Sequence, residues 1–178
     1  PGGEGKALRS SIQPRPALPI YLATLGPKSL ELTGELADGW LGTSFIPEAA
    51  DVFLDPIRSG AAKAGRSLDD VDIQINAQIA VSDDVDRLIA RSKQGMAFTL
   101  GGMGSAKTNF YNAAYSRAGW ADIAQEVQRM WVAGDKAAAS AAVPDEMVVQ
   151  AYLIGTADMV RQRVRACSAA GGSGPRRG

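Results

Sequence analysis

From residue 19 onward the hydrophobic and polar positions alternate between two periods. "PIYLAT", Pro19 to Thr24, is a short β-branched and aromatic run bounded by prolines, and it predicts a strand buried on both faces. From Lys28 the period lengthens. Leu32 and Leu36 are four apart, as are Ser29 and Thr33, and Leu30 falls in helical register with Thr33 and Ala37, which predicts a helix of about ten residues. Asp38-Gly39 closes that helix, and "WLGTSF" predicts a second strand. "PEAADVFLDPIRSGAAKAG" is helical again, with Pro56 expected to kink or divide it because proline lacks the N–H an interior turn requires. Gly65 is the expected stop. "VDIQINAQIAV" then alternates cleanly. Val71, Ile73, Ile75, Ala77, Ile79 and Val81 are expected on one face of a single strand, with Asp72, Gln74, Asn76 and Gln78 on the other.

Ser82, followed by Asp83 and Asp84, resembles a cap, and its helix is expected to run through Leu88 and Ile89 towards Leu100. Phe110 to Ala142 carries Trp120, Ile123, Ala124, Val127 and Trp131 at helical intervals and predicts a helical excursion. Pro144 starts a further helix. "GTADMVRQRVRACSAAG" predicts a last amphipathic one, capped by Thr156 and stopped by Gly171. Strand and helix in alternation imply a parallel sheet with crossover helices, yet three strands are few for one. An apolar strand is expected after "AAG", where the sequence instead runs "GSGPRRG". The chain therefore divides into an incoming loop over 1–18, an α/β domain over 19–170 and a Gly/Arg-rich tail over 171–178.

Composition removes more functions than it suggests. The 178 residues allow one domain with a sizeable core, and 19 Lys plus Arg balance 19 Asp plus Glu, so nothing favours a nucleic-acid partner. No run approaches the roughly 20 apolar residues of a membrane span, and the single cysteine, Cys167, cannot form an internal disulfide. A cytoplasmic setting without a membrane partner is expected. Histidine is absent, which excludes Ser-His-Asp and Cys-His catalysis within the chain and the usual zinc sites, so no metal is expected. Chemistry must come from a cofactor or from residues outside this chain.

Three stretches bear on ligands. "GGMGSAKT", Gly101 to Thr108, approaches the phosphate-loop pattern but has Ala106 in place of its second glycine and follows a helix, so a Gly-rich connection is the expected reading. Asn76 and Gln78 give a parallel strand a polar face, which implies a polar interior or a ligand. In "LGPKS", Pro27 suits the first helical position, leaving the Lys28 and Ser29 N–H groups free at the positive helix end, while Gly26 admits a ligand close to the backbone. That is an anion site in outline, and also the form of many strand-to-helix turns with nothing bound.

"LPIYLATLGPKSLELTGELADGWLGTSFIPE" closely resembles a segment of the luciferase-like monooxygenase superfamily, in its branch that uses coenzyme F-420, an 8-hydroxy-5-deazaflavin. "GGMGSAKTNFYNAAYSRAGW", "AAAVPDEMV" and "LIGTADMVRQRV" resemble the same branch in the same order. The resemblance implies an incomplete (β/α)8 TIM barrel, with "PIYLAT", "GWLGT" and "VDIQINAQIAV" as strands five to seven. A closed barrel needs about 250 residues and eight strands, and unpaired strand edges invite pairing with another chain, a homo-oligomer included.

By the same resemblance, Thr24, Leu25, Gly26, Pro27, Lys28 and Ser29 form the cradle for the cofactor's phosphate-bearing tail. Thr43 and Ser44 would be its neighbours. The implied chemistry is hydride transfer between a small-molecule substrate and the deazaflavin ring. The family's acid-base groups would fall outside this chain, so no catalytic residue is named. A flavin mononucleotide (FMN) monooxygenase of the same superfamily is the rival enzyme, and an inactive, non-catalytic half-barrel is the rival of another class.

Overall fold

The computed structural model describes Arg15 and residues 18–105 and 108–171. Residues 1–14, 16 and 17 of the incoming loop, the Ala106-Lys107 step of "GGMGSAKT" and the tail from 172 lie outside the described residues.

Strand β1, Tyr21–Leu22, leads into helix α1, Pro27–Leu36, and β2, Gly39–Gly42, runs parallel to β1 with Tyr21 opposite Gly39. Pro27 occupies the first turn of α1, as its fixed φ favours. A short 3₁₀ turn, Pro47–Ala49, precedes α2, Asp51–Lys63, which returns the chain to β3, Asp72–Ile75, parallel to β2. The sheet order β1-β2-β3 is therefore the sequence order, as successive βαβ units produce.

Helix α2 runs unbroken through Pro56, against expectation. Packing outweighs the missing hydrogen bond: Phe53, Leu54, Ile57, Gly60 and Ala61 on one face of α2 are all buried. The helix ends in a Schellman motif. Arg66 N–H donates to Ala61 C=O at 2.8 Å and Gly65 N–H to Ala62 C=O at 3.1 Å, and Gly65 takes the positive φ of 69° that the motif requires.

Helices α1 and α2 approach until only glycine fits between them. A Cβ on Gly34 would stand 1.9 Å from the Ile57 carbonyl oxygen, and one on Gly60 would stand 1.8 Å from that of Glu31. This close pair covers one face of the sheet. Trp40, Phe53 and Phe45 form an aromatic cluster there, with the Trp40 and Phe53 rings 5.5 Å apart, among Leu30, Leu54, Ile57 and Val71.

The expected single strand over Val71–Val81 is two strands. β3 ends at Ile75, where its partner β2 ends at Gly42, and the last link is Asn76 N–H to Gly42 C=O at 2.7 Å. The chain bends over 76–78 and resumes as β4, Ile79–Val81, in a second sheet. The bend reverses the pattern. Val71 is buried and Ile73 and Ile75 are half-buried, but Ile79 and Val81 are exposed and Ala80 is half-buried.

Helix α3, Val85–Gly101, is capped by Asp84, whose carboxylate accepts from Arg87 N–H at 3.2 Å; Ser82 instead accepts from Asp84 N–H. The excursion is helical as expected: α4, Phe110–Tyr115, a kinked turn over Ser116–Trp120 with Gly119 at φ 97°, α5, Ala121–Val132, and α6, Lys136–Ala141. After α7, Asp145–Ala151, comes an unexpected strand, β5, Leu153–Gly155, parallel to β4. The last helix, α8, Ala157–Gly171, has its Met159 N–H capped by the Thr156 hydroxyl, and its end meets Ile73 and Ile75 of β3. A second core, with Met96, Leu100, Val127, Met147 and Ile154, binds α3 to α7 together.

Candidate functional site

In the parallel sheet the C-terminal strand ends share one edge, and the predicted ligand residues follow them. Thr24 to Ser29 leave β1, Thr43 and Ser44 leave β2, and Asn76 and Gln78 leave β3. They form two neighbouring features, a loop at the start of α1 and a cleft.

In the loop, three successive carbonyls are occupied by donors of the protein. Trp40 Nε1–H donates to Thr24 C=O at 2.9 Å, and Arg117 Nη2–H to Leu25 C=O at 2.5 Å. The Ser29 hydroxyl and the Leu30 N–H both donate to Gly26 C=O, each at 2.9 Å. Thr24 and Thr33 are joined through their hydroxyls at 2.8 Å, and Thr33 in turn donates to Ser29 C=O. Acceptors that would repel an anion are thus turned inward, while the Lys28 and Ser29 N–H groups begin a helix with no carbonyl one turn behind them.

Other details of the loop agree with an anion. The first turn of α1 holds no acidic side chain and its start has no side-chain cap, so the positive helix end is unneutralised. Gly26 adopts φ −79° and ψ 147°, a conformation open to any residue, and a Cβ there would meet only Ser29 Oγ, at 3.4 Å. The protein's own packing therefore does not demand glycine at 26. Clear space in front of the N–H groups is what a bound phosphate needs. Arg117 Nε is buried without a partner, an orphan donor beside the same loop. Burial lowers the pKa of this guanidinium from its usual value. The residues present fit a phosphate-bearing cofactor.

The cleft, of about 320 Å³, lies between the C-terminal ends of β2 and β3 and the N-terminal ends of β4 and β5. Thr43, Ser44, Asn76 and Gln78 line it together, as do Thr99 and three residues that sequence reasoning missed, Tyr111, Tyr115 and Tyr152. The cradle residues Thr24 to Ser29 do not line this cleft. Ser44 is a non-glycine residue at positive φ, 57°, a conformation that costs energy and persists where surroundings impose it. Tyr115 lines the cleft beside Ser44; burial pushes the Tyr115 pKa well above the usual tyrosine value, and Tyr152 reinforces the shift. Tyr152 is itself raised by burial. Both phenols are neutral donors at physiological pH.

Two buried asparagines set the tyrosines in place. Asn109 caps α4 by accepting from Asn112 N–H at 3.0 Å, and its amide donates to Leu100 C=O at 2.9 Å. The Asn112 amide bridges Leu100 C=O at 2.9 Å and Ala124 C=O at 2.6 Å. Helix α4 is thereby tied to both α3 and α5, which aims Tyr111 and Tyr115 at the cleft. The only sequence signal was the i, i+4 spacing of the two tyrosines.

Asp38 of the helix-closing Asp38-Gly39 step accepts from Ile20 N–H at 2.8 Å and belongs to the turn before β2. Among the described residues no group of three or more His, Cys, Asp or Glu could hold a metal ion, and no helix is long and apolar enough to cross a membrane.

Residues 3–174 match the family model for luciferase-like monooxygenase. A protein of Mycobacterium tuberculosis named as a coenzyme F-420-dependent oxidoreductase is 36% identical over 172 residues, covering 95% of this chain and 50% of the relative. The 5,10-methylenetetrahydromethanopterin reductase of Archaeoglobus fulgidus is 31% identical, covering 87% of this chain and 46% of its own. Among solved structures, the coenzyme F-420-dependent tetrahydromethanopterin reductase from Methanopyrus kandleri superposes with a TM-score of 0.69 at 27% identity, over 86% of this chain and 43% of the other. The chain spans about half the length of the curated relatives it matches. With a matching family model over nearly all its length and a mixed α/β fold like that of a coenzyme F-420-dependent reductase, the chain belongs to the luciferase-like monooxygenase family.

Proposed function

We propose that this chain is the cofactor-tail-binding part of a coenzyme F-420-dependent oxidoreductase. Its β1 to β3 segment would be the fifth to seventh strands of a (β/α)8 barrel. The observation that carries this reading is the loop after β1, where the carbonyls of Thr24, Leu25 and Gly26 are all engaged and the N–H groups of Lys28 and Ser29 open an uncapped helix. Thr24 to Ser29 hold the phosphate of the tail, and the Lys28 ammonium adds an exposed charge. The adjoining cleft presents Asn76, Gln78, Thr43 and Ser44 as hydrogen-bonding groups and the tyrosines as aromatic walls to the ring and a small-molecule substrate.

When bound, the deazaflavin supplies hydride transfer to or from a substrate carbon. This chain's own residues bind and orient: the cradle fixes the tail, and the neutral phenols of Tyr115 and Tyr152 donate hydrogen bonds without taking up charge. The names of the Mycobacterium tuberculosis relative and of the Methanopyrus kandleri structure favour the deazaflavin over FMN. Titration of the purified chain with coenzyme F-420 and with FMN, followed by cofactor fluorescence, tests the reading. Saturable binding in the micromolar range, tighter for coenzyme F-420, is expected, and a folded chain that binds neither would overturn it.

A second reading is that the chain by itself is a non-catalytic half-barrel. Exposed apolar strand residues favour it: Leu41 is 41% exposed, Ile79 63% and Val81 59%, where strands of parallel sheets are normally covered on both faces. Cofactor binding without turnover by this chain would support that reading, and turnover would exclude it.

A further inference from the structure

The helical excursion reaches both loops of the site from one short stretch. Tyr115 lines the cleft with Ser44 after β2, and two residues later Arg117 donates to Leu25 after β1, a contact across 92 positions of sequence. Beyond them the chain kinks between α4 and α5 at Gly119, whose φ of 97° is not helical. Of the donors engaging the loop carbonyls, Arg117 is the charged one and the one supplied from outside the βαβ unit.

We infer that Arg117 is a positioning residue for the cofactor's phosphate: it draws the Leu25 carbonyl away from the anion, orders the backbone through Ser29, and sets a cation behind the cradle. The inference rests on the cradle reading above. One Nη of the guanidinium is committed to Leu25, and its buried Nε is a donor not yet used. A bound anion strengthens both effects, since a charge-assisted bond to a partly buried guanidinium is about twice as strong as a neutral one.

The test compares coenzyme F-420 with its phosphate-free core, 8-hydroxy-5-deazariboflavin, on the parent chain, on Arg117→Ala and on Arg117→Gln, which keeps a donor for Leu25 without the charge. Hydrogen exchange at residues 25–29 is measured on the same samples without ligand. Arg117→Ala is expected to speed exchange at 25–29 and to weaken coenzyme F-420 about tenfold while leaving the core's affinity unchanged. Arg117→Gln is expected to preserve exchange protection but to lose affinity for the phosphate-bearing ligand alone. An equal loss for both ligands, or unchanged exchange and affinity in a folded Arg117→Ala chain, would overturn the inference while leaving the cradle standing. A parent chain that does not distinguish the two ligands overturns the cradle itself, and the inference with it.

Discussion

The indole N–H of Trp40 donates to the carbonyl of Thr24 at 2.9 Å, so a fully buried ring of the first core also fixes the residue at which the proposed cradle begins. Core and site are mechanically one unit here. Replacing Trp40 by Phe keeps an aromatic ring but removes volume and leaves the Thr24 carbonyl without that donor. Equilibrium unfolding in urea should show a loss of about 2–4 kcal/mol, with the amides after Thr24 exchanging faster.

The contact between α1 and α2 predicts opposite responses to one substitution. Gly34→Ala or Gly60→Ala places a methyl less than 2 Å from a backbone oxygen, so the helices must separate. Overpacking of this kind costs about 1–3 kcal/mol or more. Gly95, on the exposed face of α3, has nothing within 4 Å of a new Cβ, and Gly95→Ala should stabilise by about 0.5–1 kcal/mol. Melting temperatures of the three variants, measured side by side, check the assignment of which glycines are structural.

Acid should loosen the attachment of α8. Arg163 binds Glu48 through both guanidinium nitrogens and also donates to the Gln150 carbonyl, joining α8 to the 3₁₀ turn after β2 and to the end of α7. The hydrogen bond from Arg163 lowers the Glu48 pKa below its usual 4.5. A carboxyl held low when folded contributes stability above its unfolded pKa and loses it as pH falls through the folded value. The difference in melting temperature between the parent and Glu48→Gln should therefore be constant from pH 7 to about 5 and shrink as pH falls below about 4.5 through the lowered folded value. Since Glu48 is half exposed, the effect at neutral pH should be modest.

The βαβ portion was legible in the sequence because period and punctuation agree there. Pro27 and Gly65 mark helix ends by their own backbone chemistry, and α1 follows from the spacing of Leu30, Thr33 and Ala37. The alternation over 71–81 described the side chains correctly only as far as Ile75. Where the strand stops is decided by its partner, since β2 ends at Gly42 and has no ladder left to offer. Strand β5 was hidden for a related reason: three residues have too little pattern to betray a strand, and the strong cap at Thr156 drew them into the following helix. Ser29, Lys28, Asn76 and Gln78 could be named in advance because each sits on or beside a local signal. Tyr152 and Arg117 could not, because their part in the site comes from contacts with segments tens of residues away.

The central claim, that the loop after β1 cradles the phosphate of coenzyme F-420, is tested most directly by the affinity of Gly26→Val for that cofactor. Valine suits the extended backbone at residue 26, and its Cβ meets nothing closer than Ser29 Oγ at 3.4 Å, so the chain itself should accept it. The space it fills is the space the phosphate needs. Fluorescence titration should show a folded variant whose affinity has fallen by about tenfold or more, with Lys28→Ala losing only about two- to fivefold as an exposed charge. A folded Gly26→Val chain that binds coenzyme F-420 as tightly as the parent would contradict the account.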